Sequence, residues 1–360
     1  MTSVRVNLSE RSYDITLGPV AGLGAAARSA SPGTVAFVVG DHNTATHAAT
    51  VGVSLASAGF RVEATTIPPG EGQKSLAGVS ALYDRLADVR ADRKTLVVAV
   101  GGGVVGDLAG FAAATFNRGL ALFMVPTTLL SMVDSSVGGK VGINHARGKN
   151  LIGSFHQPAG VWIDPAFLDT LPDREYRSGL GEVVKYGVIL DPEFFAYLES
   201  HAAAILARDP DAVAHLVARS CRLKADVVER DERELIGLRA VLNYGHTFAH
   251  AFETVAGYGT WLHGEAVSAG MACAALLANR MGLISADVVE RQRRLLQAFG
   301  LPVRIPGAWD AVVMIDVMRS DKKAEGGRMR FVLPVRLGEV RLFDDVTAEQ
   351  VVEVLEAVRG

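Results

Sequence analysis

The chain has 360 residues, of which 49% are hydrophobic and 21% charged, with a formal net charge of -3. That balance describes a folded chain long enough for two domains, and it offers no basic excess for nucleic acid or for an acidic membrane surface. Cys221 and Cys273 are the only cysteines, too few and too far apart for a disulfide framework or a thiolate metal site, so a reducing, cytoplasmic setting is expected. The first residues lack the basic and apolar regions of a signal peptide, and no apolar run reaches membrane-spanning length.

In chain order, Val4, Val6 and Leu8 alternate with polar neighbours, as do Tyr13, Ile15 and Leu17. Both patterns predict strands, paired antiparallel. The continuous apolar run 35–39 predicts a strand buried on both faces. It ends at Gly40-Asp41, where an acid either accepts hydrogen bonds from a ribose or simply forms a turn. A helix over 44–58, a strand over 61–67, a loop from Pro68 to Lys74 and a helix over 75–89 follow. A second buried strand, 96–100, then enters Gly101-Gly102-Gly103-Val104-Val105-Gly106-Asp107, with a helix expected from Leu108 to Phe116. Gly101, Gly103 and Gly106 satisfy G-x-G-x-x-G in a strand-turn-helix context, where bare backbone lets a pyrophosphate approach helix N-terminal amides. The acid expected about twenty residues on is missing, so a tight turn without a ligand stays open. The strand 121–125 ends in Pro126-Thr127-Thr128. Asp134-Ser135-Ser136-Val137-Gly138-Gly139-Lys140 follows a short helical segment and fails as an ATP-binding P-loop, because Asp134 stands where the first glycine belongs and Val141 replaces the hydroxyl. Lys140, Lys149 and Asn150 in glycine-rich backbone still suggest a phosphate site.

Beyond residue 165 helical periodicity takes over, which predicts an α/β domain over 1–165 and a mainly helical domain over 166–360. Helices are expected over 175–190, 192–206, 211–230, 243–256, 264–281, 285–299 and 348–358, with one short strand at 329–333. Within them the stretch from Asn243 to Glu265 gathers His246, His250 and His263. His246 and His250, four apart, share a helical face. Neutral imidazole is the commonest protein ligand for zinc-like cations, although capped or core histidines would also account for one or two of them. Glu182 and Lys185 lie three apart on one face between Val183, Val184, Val188 and Ile189, so this pair lines a cleft more readily than an open surface. Glu182 could complete a Glu/His/His site with room for substrate hydroxyls. Lys224, Arg239 and the cations at 321–323 add positive charge that suits an anionic small substrate.

Seven of these stretches together resemble the 3-dehydroquinate synthases, of the sugar phosphate cyclase superfamily. They are Gly-Gly-Gly-Val-Val-Gly-Asp at 101–107, Pro-Thr-Thr-Leu-Leu at 126–130, Val-Asp-Ser-Ser-Val-Gly-Gly-Lys at 133–140, Gly-Lys-Asn-Leu-Ile-Gly at 148–153, Gly-Glu-Val-Val-Lys-Tyr-Gly at 181–187, Leu-Asn-Tyr-Gly-His-Thr at 242–247 and Leu-His-Gly-Glu-Ala-Val at 262–267. The resemblance implies an α/β N-terminal NAD-binding domain and an all-α C-terminal domain that holds one divalent metal, zinc or cobalt. It assigns the metal to Glu182, His246 and His263, and gives His250 to the substrate instead. NAD is expected at Pro69, Gly70, Glu71, Gly72, Gln73 and Lys74, at Gly103, Val104, Val105, Gly106 and Asp107, at Thr127 and Thr128, at Lys140 and Lys149, and at Phe167, Leu168, Asp169 and Thr170; Asp41 is the residue-based candidate for its ribose. Asp134, Lys140, Asn150, Lys185, Lys224, Arg239, Asn243, His250 and Lys323 are expected to hold an anionic sugar acid phosphate, and Arg118 to reach a neighbouring subunit, which implies a homodimer. The implied reaction takes 3-deoxy-D-arabino-heptulosonate 7-phosphate to 3-dehydroquinate and phosphate, in the shikimate pathway, by transient oxidation, β-elimination, reduction, ring opening and intramolecular aldol closure.

Overall fold

The computed structural model describes residues 1–257, 259–320 and 329–360, so the cations expected at 321–323, Lys323 among them, lie outside the described residues. The chain forms two compact units, Met1–Pro172 with Ala214–Arg233, and Asp173–Val213 with Glu234–Gly360.

The first unit is built on strands β1 (Thr2–Val6), β2 (Tyr13–Leu17), β3 (Val35–Asp41), β4 (Arg61–Ile67), β5 (Leu96–Gly101), β6 (Ala121–Pro126), β7 (Lys140–His145), β8 (Gly148–Phe155) and β9 (Gly160–Ile163). Seven of them make one sheet in the order β1-β2-β9-β6-β5-β3-β4. β1 and β2 pair antiparallel with Val4 opposite Ile15, as the alternation predicts, and bury Val4, Val6, Tyr13, Ile15 and Leu17. The other pairs are parallel, and every residue of β5 is buried, as a strand covered on both faces must be. The chain runs from β3 outward to β4, then returns to the other side of β3 as β5. That reversal puts the carboxyl ends of β3 and β5 at the switch point of the sheet, where open α/β sheets bind ligands.

Helices α1 (Leu23–Ala30), α2 (Ala45–Ser57), α3 (Leu76–Asp88) and α4 (Gly103–Thr115) connect the strands. α4 begins at Gly103, ahead of the expected Leu108, because burial of Val105, Leu108, Ala109 and Phe111 outweighs the poor helix propensity of Gly103 and Gly106. The antiparallel hairpin of β7 and β8, whose glycines weaken its strand signal, and the short β9 were not expected.

The second unit is mainly helical. It contains α5 (Asp173–Leu190), α6 (Pro192–Ser200), α7 (Ala202–Leu206), the start of α8 (Pro210–Arg230), α9 (His246–Ala256), α10 (His263–Arg280), α11 (Ala286–Ala298), α12 (Ala311–Ser320) and α13 (Ala348–Ala357). The helix expected over 192–206 is two, broken at His201. The one expected over 243–256 starts at His246, after a 3-10 turn Leu238–Asn243 and a left-handed Gly245. α12 was not foreseen, and the strand expected at 329–333 is one arm of a hairpin, β10 (Phe331–Arg336) with β11 (Glu339–Phe343). Among the described residues no helix is long and apolar enough to cross a membrane.

Candidate active site

Three glycine contacts set up the second unit's charged cluster. A Cβ on Gly264 would lie 1.8 Å from the carbonyl oxygen of Ser178, and one on Gly181 would lie 2.6 Å from that of Gly264, so α5 and α10 meet backbone to backbone. A Cβ on Gly270 would lie 2.2 Å from the carbonyl oxygen of Gly245, which brings α9 equally close to α10. One side chain emerges beside each contact: Glu182 from α5, His263 from the first position of α10, and His246 from the first position of α9. Their ligand atoms all lie within 4.8 Å of one another.

Glu182 is fully buried. Its Oε1 stands 3.4 Å from Nε2 of His246 and 3.4 Å from Nε2 of His263, and its Oε2 is ion-paired with the buried Lys185. Neither carboxylate oxygen has a hydrogen-bond partner, an uncommon state for a buried acceptor. Burial pushes the Glu182 carboxyl up, but the charge of Lys185 and the two imidazoles hold it well below the usual carboxylate range. Burial also pushes His246 down to about 4. The ring is therefore neutral, and its Nδ1–H donates to the carbonyl of Tyr244 at 3.1 Å, so the lone pair sits on the Nε2 that faces Glu182. His263 behaves differently: burial lowers it, yet Glu182 and Glu253 outweigh that and raise it to about 10. A divalent cation held at Nε2 would displace that proton. One carboxylate and two imidazoles are a zinc-type donor set. His250, half-buried, turns its ring edge-on to His246 at 5.7 Å, and its nitrogens are outside the convergent set.

Arg239 is buried, its Nε 3.5 Å from Glu234 Oε1, and Asn243, half-buried, closes the 3-10 turn. Arg174 grips Glu265 with both ends of its guanidinium, at 2.7 and 2.8 Å, and Glu265 Oε2 accepts the amide of Leu262 at 2.8 Å, just ahead of His263.

The first unit gathers a second cluster beside the glycine turn. Lys74 is 5% exposed; its Nζ lies 2.8 Å from Asp107 Oδ2 and 3.3 Å from Glu71 Oε1, and it donates to Asn150 Oδ1 at 2.6 Å. Asn144 ties the loop to the hairpin: its Nδ2 donates to Glu71 at 2.8 Å, its Oδ1 accepts the Asn150 amide at 2.9 Å, and its amide donates to the carbonyl of Lys74. Burial raises the Asp107 carboxyl, and Lys74 offsets only part of that rise. Asp134, on a π-helical turn Ser131–Ser135, accepts from Lys224 through Oδ1 at 2.8 Å and through its carbonyl at 2.7 Å. Gly103, Val104, Val105, Gly106 and Asp107 form the first turn of α4. Thr127 is buried and its amide donates to Gly101, while the Thr128 hydroxyl is bonded to Ser131. Phe167 and Leu168 are buried, Asp169 and Thr170 exposed. Asp41 caps its own turn by accepting the Thr44 amide at 2.9 Å. Lys140 and Arg118 are exposed, Arg118 with a left-handed φ of 66°.

Sequence reasoning passed over Glu253, Asn144 and His47. The His47 Nε2 lies 2.8 Å from the Thr170 hydroxyl and its ring packs on Phe167 at 4.5 Å; nothing in the sequence connects positions so far apart. For Glu253 a signal did exist, since it stands seven residues after His246 on the same helical face.

The fold is shared with solved enzymes. The chain is similar to 2-epi-5-epi-valiolone synthase from Streptomyces hygroscopicus with NAD+ and Zn2+ bound (TM-score 0.89, 28% identity, 98% of each chain covered). It is also similar to 2-deoxy-scyllo-inosose synthase complexed with carbaglucose-6-phosphate, NAD+ and Co2+ (TM-score 0.88, 26% identity, 99% of this chain and 100% of that one). Residues 64–178 match the family described as 3-dehydroquinate synthase N-terminal, and residues 179–324 match 3-dehydroquinate synthase C-terminal. The 3-dehydroquinate synthase of Rhodopirellula baltica is 49% identical over 368 residues, covering 99% of this chain and 97% of the relative. The chain belongs to the 3-dehydroquinate synthase family.

Proposed function

We propose that this chain is a carbon–oxygen lyase that converts 3-deoxy-D-arabino-heptulosonate 7-phosphate into 3-dehydroquinate and phosphate, with NAD and one divalent ion, Zn2+ or Co2+. The observation that carries the reading is the convergence of Glu182, His246 and His263 within 4.8 Å, around a buried carboxylate whose oxygens have no hydrogen-bond partner. When bound, NAD supplies a reversible hydride acceptor and the ion a Lewis acid for a substrate hydroxyl.

The chain's own residues bind and orient. The amides of the first turn of α4 and the cations Lys140 and Lys149 suit a pyrophosphate. The Lys74 network keeps the loop from Pro69 to Lys74 in place beside Asp107. Lys185, already held against Glu182, Arg239 and Asn243 suit the carboxylate and phosphate of the substrate, with Asp134, Asn150, Lys224 and Lys323 from elsewhere in the chain. Asn243 and His250 hold the phosphate near the carbon-bound proton that it collects itself as it leaves, so no strong protein base is called for; geometry is prepaid by fixed charge and hydrogen bonds. On this reading residues 1–165 serve the dinucleotide and 166–360 the metal and substrate, and Arg118 completes the site of a second subunit in a cytoplasmic homodimer.

The test is phosphate release from the heptulosonate phosphate, with and without a chelator, while NADH absorbance is followed. Release that stops with chelator and leaves no net NADH is expected. Accumulating NADH would instead mark a dehydrogenase, and turnover of sedoheptulose 7-phosphate in place of the sugar acid would mark a cyclase of the valiolone or inosose type.

A further inference from the structure

α9 carries three polar side chains along one stripe. His246, His250 and Glu253 stand at i, i+4 and i+7, the spacing that keeps them on one helical face. Glu253 is 6% exposed, and its Oε1 lies 3.6 Å from Nδ1 of His263, an ion-pair contact just beyond hydrogen-bond length. On the opposite side of the same ring, Nε2 faces Glu182 at 3.4 Å. His246 is arranged alike but backed differently, because its Nδ1 faces the neutral carbonyl of Tyr244. A ring that gives its Nε2 lone pair to a cation must carry its proton on Nδ1. A carboxylate placed there fixes that tautomer, aims the ring and makes Nε2 a stronger donor.

We infer that Glu253 is a positioning residue for the metal centre, the carboxylate that orients and strengthens His263; the inference rests on the metal reading proposed above. α9 thereby serves both imidazoles, supplying one as its first residue and backing the other two turns later.

The experiment loads the chelator-stripped full chain with Co2+ and follows its visible absorption, comparing wild type with Glu253→Gln and Glu253→Ala, alongside the melting temperature of each metal-free protein. The expected result is a Co2+ affinity about 10- to 100-fold weaker in both variants, with displaced absorption bands. Glu253→Gln keeps the side chain's size, and the alanine variant serves should the glutamine variant fail to fold. Variants that melt lower without metal but bind Co2+ as tightly as wild type, with the same bands, would make Glu253 a purely structural residue and overturn the inference. Failure of the wild type itself to take up Co2+ at Glu182, His246 and His263 would overturn it as well, and would mark the metal reading, not the role of Glu253, as the error.

Discussion

Each unit holds a buried lysine beside acids, and the two clusters are built to opposite ends. Around Lys74 the network closes on itself: the ammonium meets Asp107, Glu71 and Asn150, Glu71 meets Asn144, and Asn144 returns to Asn150. Such a cluster fixes a loop, and its cost of desolvation is met by its own hydrogen bonds. Around Lys185 the carboxylate of Glu182 keeps two acceptor oxygens without hydrogen bonds, opposite two imidazole Nε2 atoms. Acceptors gathered in that way suit a cation more than they serve the fold. The lesson is that buried charge in one chain can serve shape or chemistry, and that the state of its hydrogen bonds tells which.

The sharpest way to break the contrast is His246→Ala. It should abolish stoichiometric metal and lower phosphate release on the order of a thousandfold, the equivalent of several kcal/mol of Lewis-acid stabilisation; a variant with normal metal content and turnover would end the distinction. Next is Lys74→Met, which strands Asp107 and should cost about 3 kcal/mol in urea unfolding while metal content in the second unit stays unchanged. The pH dependence has a definite sign. Burial already holds the Asp107 carboxyl above its ordinary value despite Lys74, and with no ammonium to oppose it the folded-state value exceeds the unfolded one by more. The penalty is therefore present at neutral pH and relieved as the pH falls into the carboxylate range. Gly264→Ala puts a methyl into the carbonyl of Ser178 and should cost about 2 kcal/mol of stability, with weaker Co2+ binding as α5 and α10 part. Smallest is Arg174→Gln. The Arg174 side chain is 57% exposed, so losing its grip on Glu265 should cost less than about 1 kcal/mol, visible as a small drop in melting temperature.

Much of this is legible in the sequence. The apolar runs that became β3, β5 and β6 are buried on both faces, and burial is what continuous Val and Ala encode. The hairpin at 140–155 was not legible, because its glycines and lysines read as a ligand loop and its pairing is set by contacts across the turn. The start of α4 was missed for a related reason, since glycine propensity argued against a helix that packing enforces. At the Glu/His/His cluster, helical periodicity could offer His250 as readily as His263 for partnership with His246. Only the turn into α10 decides between them, and a turn's direction is not written in the spacing of histidines. Glu253 shows the reverse case, a residue whose position on the stripe was countable but whose partner belongs to the next helix.

α10 meets α5 at Gly181 and Gly264, and meets the start of α9 at Gly245 and Gly270, with no Cβ between the backbones, so main chain sets the spacing of the three helices that bear the donors. The aperture they frame has no adjustable spacer, as a crossing padded by leucines would have. A search for variants that prefer a larger cation would then recover substitutions of the donors themselves ahead of any at the crossings.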